Sequence, residues 1–455
     1  MDKASQIYAL YDAMFALEDM REIYRRSLPT ELTENEKSEL KEKIQHTRSL
    51  LEKIESGVKS HQKKYIVDKL EPRIREEAFI NIQPIQAAGR LTPEARKALI
   101  AYADGYSVCD QCLSPFRLDK IRNPPIDQFH QELADFLGMD EARVVPGARR
   151  GFQVIMNSLV GKGDTVVLSS LGHYTEFLAV EQAGGTAREV FSDNNVVTGE
   201  AYAEKIEKVK KEMKTLPKLV MVDHFDYMYG NLHDIKGIAK VAKEYDIPFL
   251  LNGAYSVGVL PVNGKDIGAD FVVGSGHKSM ASAAPSGVVA TTEEWADTIF
   301  RTTKISGDIT GRTFGGKEVE MLGCTLMGAT VITLMASFPA VKERVEHWDE
   351  EVEKSNYFSN QFKRVSGSEV LSEEPRKHTL TRVDTTGSFD KIAKTHKKKG
   401  YYFSNELKNR GITGPFVGAT RKWKLNTYGL SWEQIKYLSG AFVEIAEKYE
   451  LPVSD

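Results

Sequence analysis

One lysine of the sequence stands in a setting that suits covalent chemistry with an aldehyde. The run Phe271–Ser275 is typical of a buried strand that ends in small residues, and His277 and Lys278 follow it. A lysine amine that its neighbours partly desolvate becomes a nucleophile, and small residues beside it let the backbone approach a phosphate. Pyridoxal phosphate (PLP) has both an aldehyde and a phosphate. The pattern therefore indicates a PLP lysine, with a solvated loop lysine as the plain alternative.

Four other predicted strand ends offer groups that suit the same cofactor. Gly147 separates a strand from a helix start, where free backbone N–H groups form an anion site. The remaining three strand ends present an aromatic ring, a histidine with an acid, and an amide, supplied by His173, His224, Asp226 and Asn252. Each of these alone has an ordinary explanation as a turn or loop residue. Together, in this order along the chain, they favour a PLP enzyme over coincidence.

The elements that must position these residues alternate between strands and helices from about residue 140. The predicted strands are Arg143–Val145, Thr165–Ser169, Leu219–Asp223, Phe249–Asn252, Phe271–Ser275 and Gly287–Thr291. Their nearly continuous apolar runs fit strands that are covered on both faces. The helical stretches between them predict a largely parallel α/β sheet. Binding groups in such sheets collect at the carboxyl ends of the strands, where the candidate residues fall.

The 455 residues are too many for one ordinary core, and the hydrophobic pattern changes along the chain, so we predict three parts. Residues 1–75 are predicted to form an N-terminal helical hairpin, with Thr33 and Glu36 as the capping box of its second helix. Residues 76–335 form the predicted large PLP-binding domain. Residues 336–455 form a predicted small α+β domain, whose elements are a strand at Arg382–Val383, a helical stretch from Phe389 to about Asn409, and a helix Trp432–Lys448 capped by Ser431 and Gln434.

Composition limits the partners and the compartment of the protein. The formal net charge is −3, which excludes a globally basic nucleic-acid binder and leaves only local basic patches. No apolar run is long enough for a membrane helix, and the first residues lack the pattern of an export signal. Three cysteines in a chain of this size predict a reducing compartment, the cytoplasm, rather than a disulfide framework.

Longer motifs surround these residues. Asp104–Cys112 contains two cysteines, Lys317–Cys324 ends in the third, and Gly276–Met280 contains the lysine. With Asn81–Gln86 and Tyr229–Leu232, these motifs resemble those of the archaeal O-phosphoseryl-tRNA:cysteinyl-tRNA synthases, a family of fold-type I PLP enzymes. The resemblance extends from about residue 79 to the end, so the N-terminal hairpin lies outside it.

The resemblance implies a fold and a set of site residues. The fold is that of a fold-type I PLP-dependent transferase with a mainly parallel seven-stranded sheet. Lys278 holds the cofactor and His173 stacks on its ring, and both are expected to be catalytic, as is His224. The other cofactor-binding residues are expected to be Asp226 in the pocket, Asn252 at the pyridine nitrogen, and, near the phosphate, Ala148, Arg149, Ser275 and His277.

Asn252 suggests a chemical preference. Fold-type I enzymes usually place an aspartate at the pyridine nitrogen, which keeps that nitrogen protonated. A neutral amide stabilises the ring charge less. Elimination of a good leaving group needs less carbanion stabilisation than transamination does, so this position favours elimination, unless Asn252 merely ends a strand.

The resemblance also implies an activity, in which O-phosphoseryl-tRNA(Cys) becomes cysteinyl-tRNA(Cys) through β-elimination of phosphate and addition of sulfur. Cys109, Cys112 and Cys324 are then expected to serve sulfur transfer, as a persulfide carrier or as ligands of an iron–sulfur cluster. Buried structural cysteines are the plain alternative. The expected partners are tRNA(Cys) bearing phosphoserine, phosphoseryl-tRNA synthetase and a second copy of the chain as a homodimer. The alternatives are a cysteine desulfurase-like enzyme on free amino acids and a non-catalytic tRNA or synthetase scaffold.

Basic residues supply candidates for contacts with phosphate and tRNA. Arg149, Arg150 and Arg312 are candidates for a bidentate grip on the substrate phosphate. For tRNA the candidates are Lys397–Lys399 and Arg421–Lys424, and the aromatic ring within the second run would stack on a base. Such runs are more often solvated faces.

Overall fold

The computed structural model describes residues 3–28, 31–55, 79–85, 87–102, 107–109, 126–301, 306–313 and 325–454. Its helices are α1 (Lys3–Ser27), α2 (Glu34–Glu55), α3 (Pro93–Ala101), α4 (Ile126–Phe136), α5 (Ala148–Leu159), α6 (Tyr174–Gln182), α7 (Gly199–Met213), α8 (Ile235–Glu244), α9 (Gly264–Ile267), α10 (Gly276–Ser279), α11 (Glu293–Ile299), α12 (Gly328–Val345), α13 (Trp348–Lys363), α14 (Phe389–Thr395), α15 (Tyr401–Asn409) and α16 (Trp432–Lys448). A 3₁₀ turn spans Ala87–Gly89.

The strands are β1 (Ile80–Asn81), β2 (Ser107–Cys109), β3 (Glu141–Val145), β4 (Thr165–Ser169), β5 (Thr186–Val190), β6 (Leu219–Asp223), β7 (Phe249–Asn252), β8 (Phe271–Gly274), β9 (Gly287–Thr291), β10 (Thr325–Met327), β11 (Glu369–Val370), β12 (Leu380–Asp384), β13 (Ile412–Thr413) and β14 (Lys422–Asn426). Four of the predicted strands, now β4, β6, β7 and β9, have the predicted bounds. β3 begins two residues earlier than predicted, and β8 ends one residue earlier.

The largest sheet of the described residues has seven strands in the order β3-β9-β8-β7-β6-β4-β5. β9 is antiparallel to both of its neighbours, and the other pairs are parallel. Alternate residues of β6 enter two hydrophobic clusters, Val220 and Val222 one of them, Leu219 and Met221 the other. Apolar groups therefore cover both faces, as expected for parallel strands. The predicted mainly parallel seven-stranded sheet is confirmed.

The C-terminal part has a separate core. β11, β12 and β14 form an antiparallel sheet, which shares a buried cluster with α13 and α16 that includes Phe358, Phe442 and Trp423. Ser431 and Gln434 form the predicted capping box of α16. The stretch predicted as helical from Phe389 onward consists of two helices, α14 and α15. The division of the chain at residues 75 and 335 stays a prediction.

The N-terminal hairpin is confirmed as two antiparallel helices. Ala9 in the first half of α1 packs with Ile54 at the end of α2, and the Lys43 ammonium lies 3.0 Å from the Asp19 carboxylate. The predicted capping box at the start of α2 is present. The hairpin lies against α3, where Lys97 contacts the same Asp19 at 2.6 Å. Among the described helices, none combines the length and the apolar character that a membrane span requires.

Candidate active site

Lys278 lies on the short helix α10, which begins directly after the central strand β8 and its cap Ser275. Its side chain is half-buried, and its Nζ lies 5.1 Å from the centre of the Tyr255 ring. Burial lowers the pKa of the ammonium, although the nearby Asp223 carboxylate opposes this. A larger fraction of the amine is therefore neutral than for a surface lysine, as a nucleophile or base requires.

The backbone around Lys278 is held by the 3₁₀ turn Ala87–Gly89. A Cβ atom on Gly89 would lie only 2.0 Å from the His277 carbonyl oxygen, so the turn and the lysine segment are in direct contact. The Arg344 guanidinium donates to the carbonyl oxygens of Gly258 at 2.9 Å and of Ala88 at 3.2 Å, and also to that of Ser279. The position of Lys278 therefore depends on the turn and on α12 as well as on the sheet.

The groups predicted to hold a phosphate meet at one end of the sheet. Helix α5 begins after Gly147, which has a φ of 88° and no side chain to cap the helix. A Cβ on Gly287 would lie 2.6 Å from the Gly147 carbonyl carbon, so only glycine fits opposite this helix start. The Ser275 hydroxyl is buried and has no hydrogen-bond partner in the described protein. Uncapped N–H groups and an unpaired hydroxyl fit a phosphate, so these residues fit PLP.

Near this helix start lie two further predicted phosphate residues. Ala148 is its first helical residue, and a Cβ on Gly147 would lie 3.8 Å from the imidazole of His277. His277 shares a hydrogen bond of 2.9 Å between its Nδ1 and the Ser286 carbonyl oxygen. Arg149 is exposed on the first turn of α5, so its side chain is less enclosed than the prediction of a cofactor contact suggests.

His173 is the N-cap of α6, and its Nδ1 accepts from the Thr175 N–H at 3.4 Å. Its ring lies 4.9 Å from that of Tyr227 in an edge-on contact. Burial, followed by the positive charges of Lys278 and Lys424, lowers the pKa of His173 to about 4. The imidazole is therefore neutral at pH 7, which suits a ring that stacks on a pyridine.

Asn252 ends β7 and takes part in a buried hydrogen-bond network. Its Nδ2 donates to Glu176 Oε1 at 2.5 Å and to Asp223 Oδ1 at 2.6 Å, while its Oδ1 accepts from the Ala254 N–H at 3.0 Å. Both N–H bonds of the amide are used by these acids. The atom left for a ligand is the carbonyl oxygen, which accepts a hydrogen bond from a protonated ring nitrogen. Asn252 therefore does more than end a strand.

Glu176 and Asp223 were not predicted as site residues. Both are almost fully buried, and each has a second carboxylate oxygen without a partner in the described protein. Burial raises the pKa of Glu176 to about 7, against the hydrogen bonds from Asn252 and Asp223. Burial and the charge of Glu176 also raise the pKa of Asp223 well above its usual range. Two carboxyl groups at one amide therefore keep at least one proton at neutral pH.

Asp226 and His224 both make buried contacts within the protein. The Asp226 carboxylate accepts from the backbone N–H groups of Met228, Tyr229 and Asn231 at 2.6–2.9 Å. It organises the loop that carries Tyr227 and Tyr229, and its expected contact with the cofactor stays a prediction. The His224 imidazole is buried 4.9 Å from the Phe225 ring, and no described contact joins it to Lys278. Its catalytic role also stays a prediction.

Of the three cysteines, Cys109 lies in a described segment, whereas Cys112 and Cys324 lie outside the described residues. The backbone of Cys109 pairs with Thr325 in the antiparallel β2–β10 ribbon. Thr325 is the residue that directly follows Cys324 in the sequence. Among the described residues there is no cluster of metal-binding side chains.

The residues predicted to contact the substrate phosphate or tRNA lie in different environments. Arg312 lies on an exposed hairpin closed by a bridge between Ser306 and Thr313. The prediction that Trp423 stacks on a tRNA base is wrong, because this side chain is 4% exposed and packs within 5.9 Å of the Phe442 ring. Alternation along β14 turns Trp423 into the core and Lys424 to the opposite face.

The fold and the side chains around Lys278 together define a fold-type I enzyme of the PLP-dependent class.

Comparison with known proteins identifies the family. The family model of O-phosphoseryl-tRNA(Sec) selenium transferase, SepSecS, matches residues 126–446. An O-phospho-L-seryl-tRNA:Cys-tRNA synthase of Methanococcoides burtonii is 64% identical over 100% of this chain and 99% of its own length. One of Methanoregula boonei is 61% identical over 99% of each. The chain belongs to the SepSecS family and, within it, to the O-phospho-L-seryl-tRNA:Cys-tRNA synthases, which confirms the resemblance seen in the sequence.

Solved structures agree with this assignment. A chain of the SepCysS–SepCysE N-terminal domain complex has a TM-score of 0.75 and 42% identity, covering 85% of this chain and 100% of that one. A cysteine desulfurase of Thermococcus onnurineus has a TM-score of 0.65 with 17% identity, over 86% of this chain and 100% of the other. At that identity, the second likeness shows the fold alone.

Proposed function

We propose that this protein converts O-phosphoseryl-tRNA(Cys) to cysteinyl-tRNA(Cys), by β-elimination of phosphate followed by addition of sulfur. The observation that carries the proposal is the half-buried Lys278 amine at the end of the sheet that also carries neutral His173, the oriented Asn252 amide and the unpaired Ser275 hydroxyl. The names of the full-length relatives support the substrate.

Pyridoxal phosphate, when bound, supplies an aldehyde for an amine and a ring that stabilises negative charge at the adjacent carbon. Lys278 would bind its aldehyde, Ser275 and the start of α5 its phosphate, His173 one face of its ring and Asn252 its ring nitrogen. The acceptor that Asn252 presents is a neutral oxygen, with two carboxyl groups behind the amide. This arrangement stabilises ring charge less than a direct carboxylate would, which favours elimination over transamination.

Lys278 is also the base of the proposed reaction. Once its amine is free, it removes the α-proton of the phosphoserine unit and later returns a proton to the same carbon. Burial of the ammonium favours the neutral amine that accepts this proton. Because His173 is neutral, it does not attract the anionic groups of the substrate. Its expected role is to hold the cofactor ring in place.

Sulfur is proposed to arrive on Cys109, Cys112 and Cys324, as a persulfide or from a cluster that the three thiolates hold. The β2–β10 pairing supports this because it places Cys109 opposite the residue that follows Cys324. Metal and sulfide content of anaerobically purified protein decides between the two forms. Serine at each cysteine is expected to abolish cysteine formation while phosphate release continues, and unimpaired cysteine formation contradicts this role.

The proposed partners follow from the same reaction. They are tRNA(Cys) bearing phosphoserine, the phosphoseryl-tRNA synthetase that makes it, and a second copy of the chain in a cytoplasmic homodimer. Fold-type I sites usually form between two subunits, and the cysteines are expected to meet there.

The decisive experiment combines one spectrum with one assay. Purified protein with pyridoxal phosphate is expected to show the absorbance of a lysine-bound cofactor and to form cysteinyl-tRNA from phosphoseryl-tRNA and sulfide. Lys278→Ala is expected to lose both. Activity on free cysteine without tRNA indicates a desulfurase instead, and protein without cofactor absorbance indicates a scaffold. Turnover of phosphoseryl-tRNA by Lys278→Ala refutes the proposal.

A further inference from the structure

Two cations face each other across strands of the C-terminal sheet. Arg382 on β12 and Lys424 on β14 are register partners, and both side chains are half-buried. Like charges directly opposite each other destabilise a β-sheet. On the same two strands Asp384 is paired with Lys422, with the ammonium 3.7 Å from the carboxylate. Among the described residues no carboxylate lies within ion-pair distance of Arg382 or Lys424, and the Asp226 carboxylate, which raises the pKa of Lys424, compensates only part of their repulsion.

The loop organised by Asp226 holds both cations. The Arg382 guanidinium lies 5.0 Å from the Tyr229 ring centre, and Lys424 Nζ lies 4.9 Å from that of Tyr227. Lys424 also donates to the Tyr227 carbonyl oxygen at 2.5 Å. Arg382 Nε is buried without a hydrogen-bond partner in the described protein. A buried donor left unpaired costs free energy, and an anion bound between the two cations would satisfy it.

The pair borders the pocket of Lys278. Tyr227, which Lys424 contacts, lies against the His173 ring at 4.9 Å. Burial and then Arg382 lower the pKa of Lys424 to about 8, and Lys278 contributes to the same effect. Lys424 and Lys278 both lower the pKa of His173. The Tyr227 ring, which contacts both Lys424 and His173, connects the cation pair to the pocket of Lys278.

We propose that Arg382 and Lys424 bind the phosphate group of the phosphoseryl unit and stabilise it as it leaves, an inference that rests on the proposed function. As the Cβ–O bond breaks, its electron pair stays on the phosphate oxygen. The leaving group therefore gains negative charge beside two cations. Lys278 removes the α-proton, and the released product takes up one proton as hydrogen phosphate, so the elimination is balanced. The cofactor phosphate has its own site at α5.

Binding of two tRNAs that differ only in the phosphate tests this site. Wild type, Arg382→Met and Lys424→Met are compared on phosphoseryl-tRNA(Cys) and on seryl-tRNA(Cys). Each methionine variant is expected to lose about 10- to 100-fold in affinity for phosphoseryl-tRNA, the range of a charge-assisted hydrogen bond. Affinity for seryl-tRNA is expected to be unchanged. Lys363→Met removes an exposed cation of the same C-terminal part, paired with Glu374 at 2.6 Å, and is the matched control that is expected to bind both tRNAs like wild type.

Several results overturn the inference. Unchanged binding of phosphoseryl-tRNA means that the pair does not hold the phosphate. Equal losses on both tRNAs mean that it contacts the tRNA backbone instead. If a methionine variant loses the cofactor absorbance, the variant Arg382→Lys is tested in its place, because lysine keeps the charge but lacks the Nε donor. Weaker binding of phosphoseryl-tRNA alone by this variant supports the site. Unchanged binding refutes the site. Failure of wild type to convert phosphoseryl-tRNA refutes the proposed function itself, a separate outcome.

Discussion

Replacing Glu176 by glutamine should change how the stability of the protein depends on pH. The folded protein holds the Glu176 proton up to about pH 7, whereas the unfolded chain releases it near pH 4.5. The folded state therefore binds more protons in this window, and its stability falls as pH rises from 4.5 to 7. Since a tenfold change in proton affinity is worth about 1.4 kcal/mol, the rise in pKa from 4.5 to about 7 makes the total loss about 3 kcal/mol.

Glutamine at this position imitates the protonated acid. Its carbonyl oxygen still accepts from the Asn252 amide, and its NH₂ group can donate to Asp223. We therefore expect the free energy of unfolding of Glu176→Gln to lack this decline, so that the variant gains up to about 3 kcal/mol on wild type between pH 4.5 and pH 8. Urea titrations across this range, with and without pyridoxal phosphate, measure the difference.

The control is Glu181→Gln, because Glu181 lies on the same helix and is exposed. This variant is expected to follow the wild-type curve at every pH. The reasoning about the buried acids is refuted if Glu176→Gln also runs parallel to wild type, since the proton affinity of Glu176 would then be equal in the folded and unfolded states.

Three further predictions follow from the site and the cores. Asn252→Asp is expected to increase side transamination, measured as conversion of the cofactor to its amine form; no increase contradicts the argument about the weaker electron sink. Trp423→Ala should lower the free energy of unfolding by about 3–5 kcal/mol, as for a large core side chain. The neighbouring Lys422→Ala should change it by less than about 0.5 kcal/mol. If Trp423→Ala lost tRNA binding without being destabilised, this prediction would be contradicted. Gly287→Ala should weaken cofactor binding in equilibrium titrations, because its Cβ would collide with the backbone of Gly147; unaltered affinity would contradict the tight packing.

The fold was predictable where burial is reflected in local sequence. β4, β6, β7 and β9 are continuous apolar runs because both faces of the sheet are covered. β5 was missed, since this edge strand has the mixed sequence Thr186–Val190 and four of its five residues are not fully buried. One helical stretch was predicted where α14 and α15 are separate, because the turn ending at Gly400 interrupts a pattern that is helical on both sides.

The candidate site was predictable only in part, for a related reason. Lys278, His173 and Asn252 follow predicted strands, so the rule that binding groups collect at strand ends locates them. Glu176 lies within a helical run, and nothing near it in the sequence predicts that it meets Asn252. Likewise, the cross-strand partner of Lys424 lies 42 residues earlier, and only the register of the sheet brings the two together.

The contact of Gly89 with the lysine segment has a consequence for how the enzyme can be divided. A fragment that begins after this glycine would retain all seven strands of the central sheet, and with them the scaffold of the cofactor pocket. It would lack the Gly89 backbone that contacts the peptide between His277 and Lys278. The Arg344 side chain would also lose the Ala88 carbonyl oxygen, one of the three that accept its hydrogen bonds. The reactive amine is thus aligned from outside the sheet, by a short piece of chain that precedes the first of its seven strands.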